Sequence, residues 1–330
     1  MANELKTVST TSLGTWNNWA VGEITSDFTA HDIELDPYAK QCGMSAMSSI
    51  WTLIQSTDNF DLNAADTSNL RDMVIRCASL KLNASADPQE VYFQVRNKKV
   101  GGSWSKTVEM VVTTHGYESL LRNYGNDVAE VVGPMVVREG DDFTPPRYVG
   151  FKSEPPIWSP QYKSNKATHV LYMVKLKSGA EQYLISTRES VKTNLRAHVR
   201  NNMLNETFGI CADRYKATAE QKSQISQKKE EIMAKLNACE TLDDMLACKE
   251  ARPYMSAAWL DSTEDMIVTK MIKNAVKKFP KNYNDIGKES VNRIEIESDN
   301  AYQVSQEEVA EIENSQEFLV DAAVEEVTGE

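Results

Sequence analysis

The chain has 330 residues, 41% hydrophobic and 25% charged, which is ordinary for a soluble globular protein and long enough for one large domain or two modest ones. No apolar run approaches the roughly 18 residues of a membrane span, and MANELKTVSTTS lacks the basic, apolar, small-residue order of a secretory signal, so the expectation is a cytosolic protein without membrane contact. The net charge of −12 argues against a nucleic-acid partner only until it is located: from Ile294 onward there are 12 of the 48 acidic residues and no Lys or Arg, which leaves a neutral body of 36 acidic and 36 basic side chains.

In chain order, residues 1–36 are polar, rich in Ser, Thr and Asn, and read as a flexible leader. Tyr38 to Ser56 places Met44, Met47, Ile50, Trp51 and Ile54 at helical spacing. A second helix is expected from an Asp66 cap to about Leu80, with Leu70, Val74 and Cys77 facing inward. VYFQVRN and TVEMVVT flank KKVGGSWSK, whose Gly101-Gly102 suits a hairpin turn. A short helix, HGYESLLRNYG, closes at Gly125 as a helix-ending cap. Strands follow at Val128–Arg138, His169–Lys177 and Gln182–Ser186. The stretch holding Pro145, Pro146, Pro155, Pro156 and Pro160 is expected as a loop, too proline-rich for a sheet interior. Helices are expected at Arg188–Arg200, Ala217–Leu236 and Ser262–Phe279, the last ended by Pro280. Helices, then strands, then helices predict an α+β fold: a small antiparallel sheet with a hairpin, packed by helices. Residues 37–293 form the expected core with a helical insertion at about 200–255, and 294–330 an acidic, disordered tail.

Five scattered cysteines and four dispersed histidines have neither disulfide-framework nor metal-ligand spacing. There is no GxxxxGK[ST] loop to cradle ATP phosphates, no GxSxG elbow and no HExxH helix. The expectation is therefore a protein without cofactor, metal or hydrolytic site. Asp141-Asp142 is the one carboxylate pair a metal-dependent nuclease would use, and a solvated acidic turn is the favoured reading of it.

Positive charge is local. Arg147 to Lys216 holds 12 Lys/Arg against 5 Asp/Glu, and Met266 to Arg293 holds 7 against 2. A polyanion senses such patches within about 8 Å in physiological salt. Lys270, Lys273 and Lys277 share one face of the last helix, with Val268, Ile272, Ala275 and Phe279 opposite, so the ammonium groups are expected to point outward. Arg188, Lys192, Arg196 and Arg200 form a similar row beside Val191, Leu195 and Val199. With Lys98, Lys99 and Lys106 on the hairpin, these cations suit a groove that tracks phosphates; Arg122 and Arg147 are weaker candidates. Tyr92, Phe93, Trp104, Tyr117 and Tyr124 interleave with them, and Trp104 in the hairpin turn is the candidate for stacking on bases.

At these residues the sequence resembles the RecT/Redβ family of phage recombination proteins. Four blocks carry the resemblance in the family's order: CASLKLNASADPQEVYFQVRN (77–97), HGYESLLRNYGNDVAEVVGPMVVREGDDF (115–143), THVLYMVKLKSGAEQYLISTRESV (168–191) and WLDSTEDMIVTKMIKNAVKKFP (259–280). The run Val-Arg-Glu-Gly-Asp-Asp-Phe is the most specific of them. The resemblance implies an ATP-independent protein that binds single-stranded DNA in a basic groove, anneals it through a duplex intermediate, and assembles into homo-oligomeric rings or helical filaments. It also implies a phage exonuclease partner and a bacterial host cytoplasm. The acidic tail is either a docking segment, for the basic groove or a partner such as single-strand-binding protein, or a solubilising extension. In two places the chain departs from the family. Where the family's closing helix carries a Lys-Lys pair, this chain has Val268 and Thr269, with Lys270 next; and Arg200 to about Met255 is longer than expected, either an inserted helical pair or a solvated excursion. The rival functions are a strand-protecting protein that does not anneal, the nuclease, and a structural phage assembly protein.

Overall fold

The computed structural model describes residues 35–57, 67–100, 103–150, 152–212, 216–284, 287–292 and 294, with Gly22 and Ser26. The expected flexible leader and acidic tail, and the Asp66 cap, fall almost wholly outside these residues.

The first helix, α1 (Pro37–Gln55), starts where Pro37 presets the backbone and Asp36 accepts the Ala39 N–H at 2.8 Å. Its buried face is Ala39, Cys42, Ala46, Met47, Ile50 and Ile54; Met44, expected in the apolar stripe, is 47% exposed. In α2 (Thr67–Leu80) the predicted Leu70, Val74 and Cys77 are all buried. Both helices pack on the hairpin β1 (Val91–Val100) and β2 (Ser103–Val112), whose Val91, Phe93, Val108, Met110 and Val112 complete one hydrophobic core. The side-chain amide of Asn69 on α2 pairs with the outer edge of β2, donating to the Val108 carbonyl at 3.0 Å and accepting its N–H at 2.8 Å.

Helix α3 (Thr114–Tyr124) bridges to the second half of the molecule. Its Gly116 lies so close to the backbone of Glu90 that a Cβ would sit 2.2 Å from the carbonyl oxygen. Gly125 corrects the expectation of a left-handed helix-ending glycine: its φ of −56° and ψ of 131° suit any residue. Space is what excludes a side chain there, because a Cβ would lie 2.4 Å from the Leu121 carbonyl oxygen and 2.5 Å from a Val128 methyl.

Strands β3 (Val128–Arg138), β8 (Ala167–Leu176) and β9 (Glu181–Thr187) form an antiparallel sheet in the order β3-β8-β9. Central β8 buries Val170, Leu171, Tyr172 and Val174. Between β3 and β8 the expected proline loop is instead an arm of two nested ladders, β4 (Asp142–Thr144) with β7 (Ile157–Ser159) and β5 (Arg147–Val149) with β6 (Lys152–Glu154). Thr144 pairs with Ile157 and Arg147 with Glu154, so Pro145-Pro146 and Pro155-Pro156 face each other in the gap. Proline has no N–H to give a ladder, and here the ladder breaks where the prolines fall. The arm leans on the edge of β9, where Ser153 Oγ donates to the Glu181 carbonyl at 3.1 Å.

After a 3₁₀ turn (Arg188–Val191) come α4 (Lys192–Asn202), α5 (Ala219–Ala238), α6 (Leu242–Ala247), α7 (Ala257–Leu260) and α8 (Thr263–Lys277). Thr218 with Gln221 and Thr241 with Asp244 make reciprocal caps at the starts of α5 and α6. The region from about 200 to 255 contributes to the core: Met233, Leu236, Leu242, Met245, Ala251 and Met255 are buried with the sheet and α8 in a second hydrophobic cluster. The fold is α+β. No helix among the described residues is long and apolar enough to cross a membrane.

Candidate nucleic-acid interface

The two cores meet at α3 and the C-terminal half of α8. Helix α8 carries Glu264 and Asp265 in its first turn and Lys277 in its last, each complementing the helix dipole. Its deepest residues are Ile267, Met271, Ala275 and Val276, while Val268 and Ile272 are only half-buried. The helix is thus rotated from the expected orientation and is flanked by β8, β9, α3 and α7 at once. Lys270 and Lys273 do not point outward as the spacing predicts; both are half-buried, and Lys277 alone of the three is exposed.

Lys273 spans the junction. Its Nζ donates to the Val112 carbonyl at the end of β2 (2.9 Å) and lies 5.1 Å from the centre of the Tyr117 ring on α3. Burial, and then Lys270 and Lys277, push its ammonium down to about 8; the carbonyl and the ring face favour the charged form. Burial also lowers Lys270 below the ordinary lysine range. Lys281 Nζ gathers the carbonyls of Val276 (2.9 Å), Lys277 (3.2 Å) and Phe279 (3.0 Å), closing the C-terminus of α8. The chain then pairs with the end of α3, where Asn282 N–H donates to the Tyr124 carbonyl at 2.7 Å and the Tyr124 and Tyr283 rings lie 5.0 Å apart. Lys277, Lys281, Val112 and Tyr117 thereby border one apolar hollow. Spacing alone did not single out Lys281 or Tyr283; a lysine just past the Pro280 helix stop was the available signal.

The row on α4 behaves differently. Arg188 falls in the 3₁₀ turn, 7% exposed, with its guanidinium taken up by Glu264 (2.8 and 2.9 Å), Asp243 (2.7 and 3.1 Å) and the Ala167 carbonyl (3.1 Å). Lys166 adds a second cation to Asp243 at 2.7 Å. Burial alone would raise Asp243, but the hydrogen bonds from Arg188 and Lys166 hold its carboxyl below the usual range. This network fastens α6 to the start of β8 and the first turn of α8. Lys192 Nζ donates to the Glu240 carbonyl at 2.6 Å, and Arg196 is half-buried with an Nε that has no hydrogen-bond partner.

Among the other expected residues, Lys106 is half-buried and Arg147 is exposed on the arm. Arg122 is 48% exposed and 3.9 Å from the buried Glu118 carboxylate, which also accepts the Tyr172 hydroxyl. The hairpin register sets Lys98 opposite Ser105 and Lys99 opposite Trp104, and the side chains of Lys98, Lys99 and Trp104 lie outside the described residues. Tyr92 is 41% exposed, whereas Phe93 is buried and Tyr124 donates to the Ser79 carbonyl at 2.7 Å. Asp141 is engaged by the Arg138 N–H (2.9 Å), the Gln161 N–H (2.8 Å) and the Trp158 indole (3.0 Å), which hold its carboxyl low. No cluster of three or more potential metal ligands occurs among the described residues. His198 is half-buried and hydrogen-bonded: Nε2 accepts the Ser256 N–H at 3.0 Å and the ring packs 5.8 Å from Trp259.

Residues 44–314 match the RecT family, and the chain belongs to it. Protein RecT of Escherichia coli (strain K12) is 26% identical over 132 residues, which are 40% of this chain and 47% of that protein. The chain thus spans about half the length of the curated relative it matches.

Proposed function

We propose that this protein binds single-stranded DNA and anneals it to a complementary strand without ATP. The observation that carries the reading is Lys273, whose ammonium is met by a carbonyl and an aromatic ring and by no carboxylate among the described residues, within one lysine row of a RecT-family chain. Its charge remains for phosphate. Lys273, Lys277 and Lys106, with Arg147 on the arm and Lys98 and Lys99 on the hairpin, form the proposed contact set; Lys270, Arg196 and Arg122 are secondary. Arg188 is left out because two carboxylates already neutralise it. Annealing is slowed by repulsion between two polyanions, and a surface that neutralises phosphates while leaving bases accessible lowers that barrier. The proposed partners are further copies of the chain in a ring or filament, an exonuclease that supplies the strand, and single-strand-binding protein.

The test is annealing of two complementary dye-labelled oligonucleotides by purified protein without ATP, across a salt series. Acceleration that fades with salt supports the reading. Binding without acceleration replaces it with strand protection, and no salt-dependent binding removes DNA from the function.

A further inference from the structure

The sequence points to Trp104 as the base-stacking residue; among the described residues the chain between β3 and β8 displays a different aromatic ring openly. Tyr162 is 86% exposed, more than any other large hydrophobic or aromatic residue among those described, and makes no hydrogen bond or ring contact there. Its φ of +55° lies in the left-handed region that a bulky residue rarely occupies. The conformation is imposed from behind. Asp141 takes the backbone N–H of Gln161 at 2.8 Å, and Asp142 takes its side-chain amide at 2.9 Å. Two hydrogen bonds thus hold the residue preceding Tyr162, and the Trp158 indole steadies the Asp141 carboxylate that makes one of them. Lys163 follows, exposed, with its stem directed across Gly140, where a Cβ would find Lys163 Cβ at 3.7 Å. The stretch from Pro145 to Asn165 carries Arg147, Lys152 and Lys163 against Glu154, while Asp141 and Asp142 on the turn behind the pair are spent on hydrogen bonds to Gln161 and Trp158.

We propose that Tyr162 and Lys163 form a one-nucleotide docking step, the phenol ring stacking on a base and the ammonium pairing with a neighbouring phosphate. This rests on the single-strand-binding reading above and names where a base is held. A ring presented in a constrained backbone loses little freedom on stacking, and stacking accepts any base because every base has a π-face. The acidic pair Asp141 and Asp142, which sequence alone offers to a metal, serves here as the bracket that aims the ring.

The test compares wild type, Tyr162→Ala, Tyr162→Phe and Lys163→Ala for binding to an oligo-dT and to the same strand made of abasic sites, by anisotropy over a salt series, with sedimentation of each free protein. Wild type is expected to favour the base-bearing strand. Tyr162→Ala is expected to bind oligo-dT roughly 5- to 150-fold more weakly with an unchanged salt slope, and to lose the preference over the abasic strand. Tyr162→Phe keeps the preference, while Lys163→Ala lowers the slope by about 0.7. If wild type binds and Tyr162→Ala binds equally well, the docking step is overturned and the DNA-binding reading stands. If Tyr162→Ala instead changes the sedimentation and leaves the base preference intact, the ring belongs to a contact between copies and the proposal fails. If wild type binds neither strand, the docking step falls together with the reading beneath it.

Discussion

The two basic rows look alike in sequence and sit in opposite electrostatic settings. In the row that begins at Arg188, the guanidinium is enclosed by Glu264 and Asp243, so the charge is cancelled internally and ties α6 and α8 to the sheet. In the row on α8, Lys273 is also turned inward, though only half-buried, and it meets the Val112 carbonyl and the Tyr117 ring. What separates the two cations is therefore not exposure alone. It is also whether a carboxylate shares the site.

The largest expected effect tests the cancelled charge. Arg188→Ala leaves Asp243 and Glu264 facing each other without their shared partner, and should destabilise the fold by about 3 kcal/mol, read from the denaturant midpoint. That is the low end for a broken buried pair, because the two carboxylate side chains keep 42% and 33% exposure. A shift below about 1 kcal/mol would make Arg188 dispensable and reopen it as a DNA contact. Lys273→Ala with Lys277→Ala should do the reverse, weakening single-strand binding on all sequences and lowering the salt slope by about 1.4, two contacts at roughly 0.7 each. An unchanged slope would erase the contrast between the rows.

The smallest expected effect is a dependence on pH. Lys273 has a folded-state value of about 8 against 10.5 for an ordinary lysine, so between these the unfolded chain holds more protons than the folded one. Stability gains from this residue as pH rises through that window, while the charge offered to phosphate is lost above about 8. Single-strand affinity should therefore fall by less than about tenfold between pH 7 and 9, and Lys273→Ala should flatten that part of the decline. An identical decline in the variant would show that Lys273 does not titrate against DNA.

Much of the fold is legible in the sequence because its signals are local. Strand β3 has the predicted boundaries, and the inward residues of α2 follow from spacing alone. What the sequence hides is set by distant partners. Arg188 is consumed by residues 55 and 76 positions away, which no periodicity connects to it. The orientation of α8 escapes its sequence pattern because a two-faced helix presumes one neighbour, and this one packs against β8, β9, α3, α7 and the 3₁₀ turn. The arm carries no strand signal because each of its ladders is three residues long and flanked by prolines. Tyr162 carries no spacing signal at all; its display depends on a turn closed by Asp141 across 20 residues.

One modest contact has a consequence for assembly. By occupying both the N–H and the carbonyl of Val108, Asn69 denies the outer side of β2 to any foreign strand at that point. A ten-residue strand with a bare backbone would invite sticky, register-tolerant growth into aggregates. With Val108 latched by a helix, a second copy of the chain cannot add a strand to β2 at that point, and a contact made there has to go through side chains.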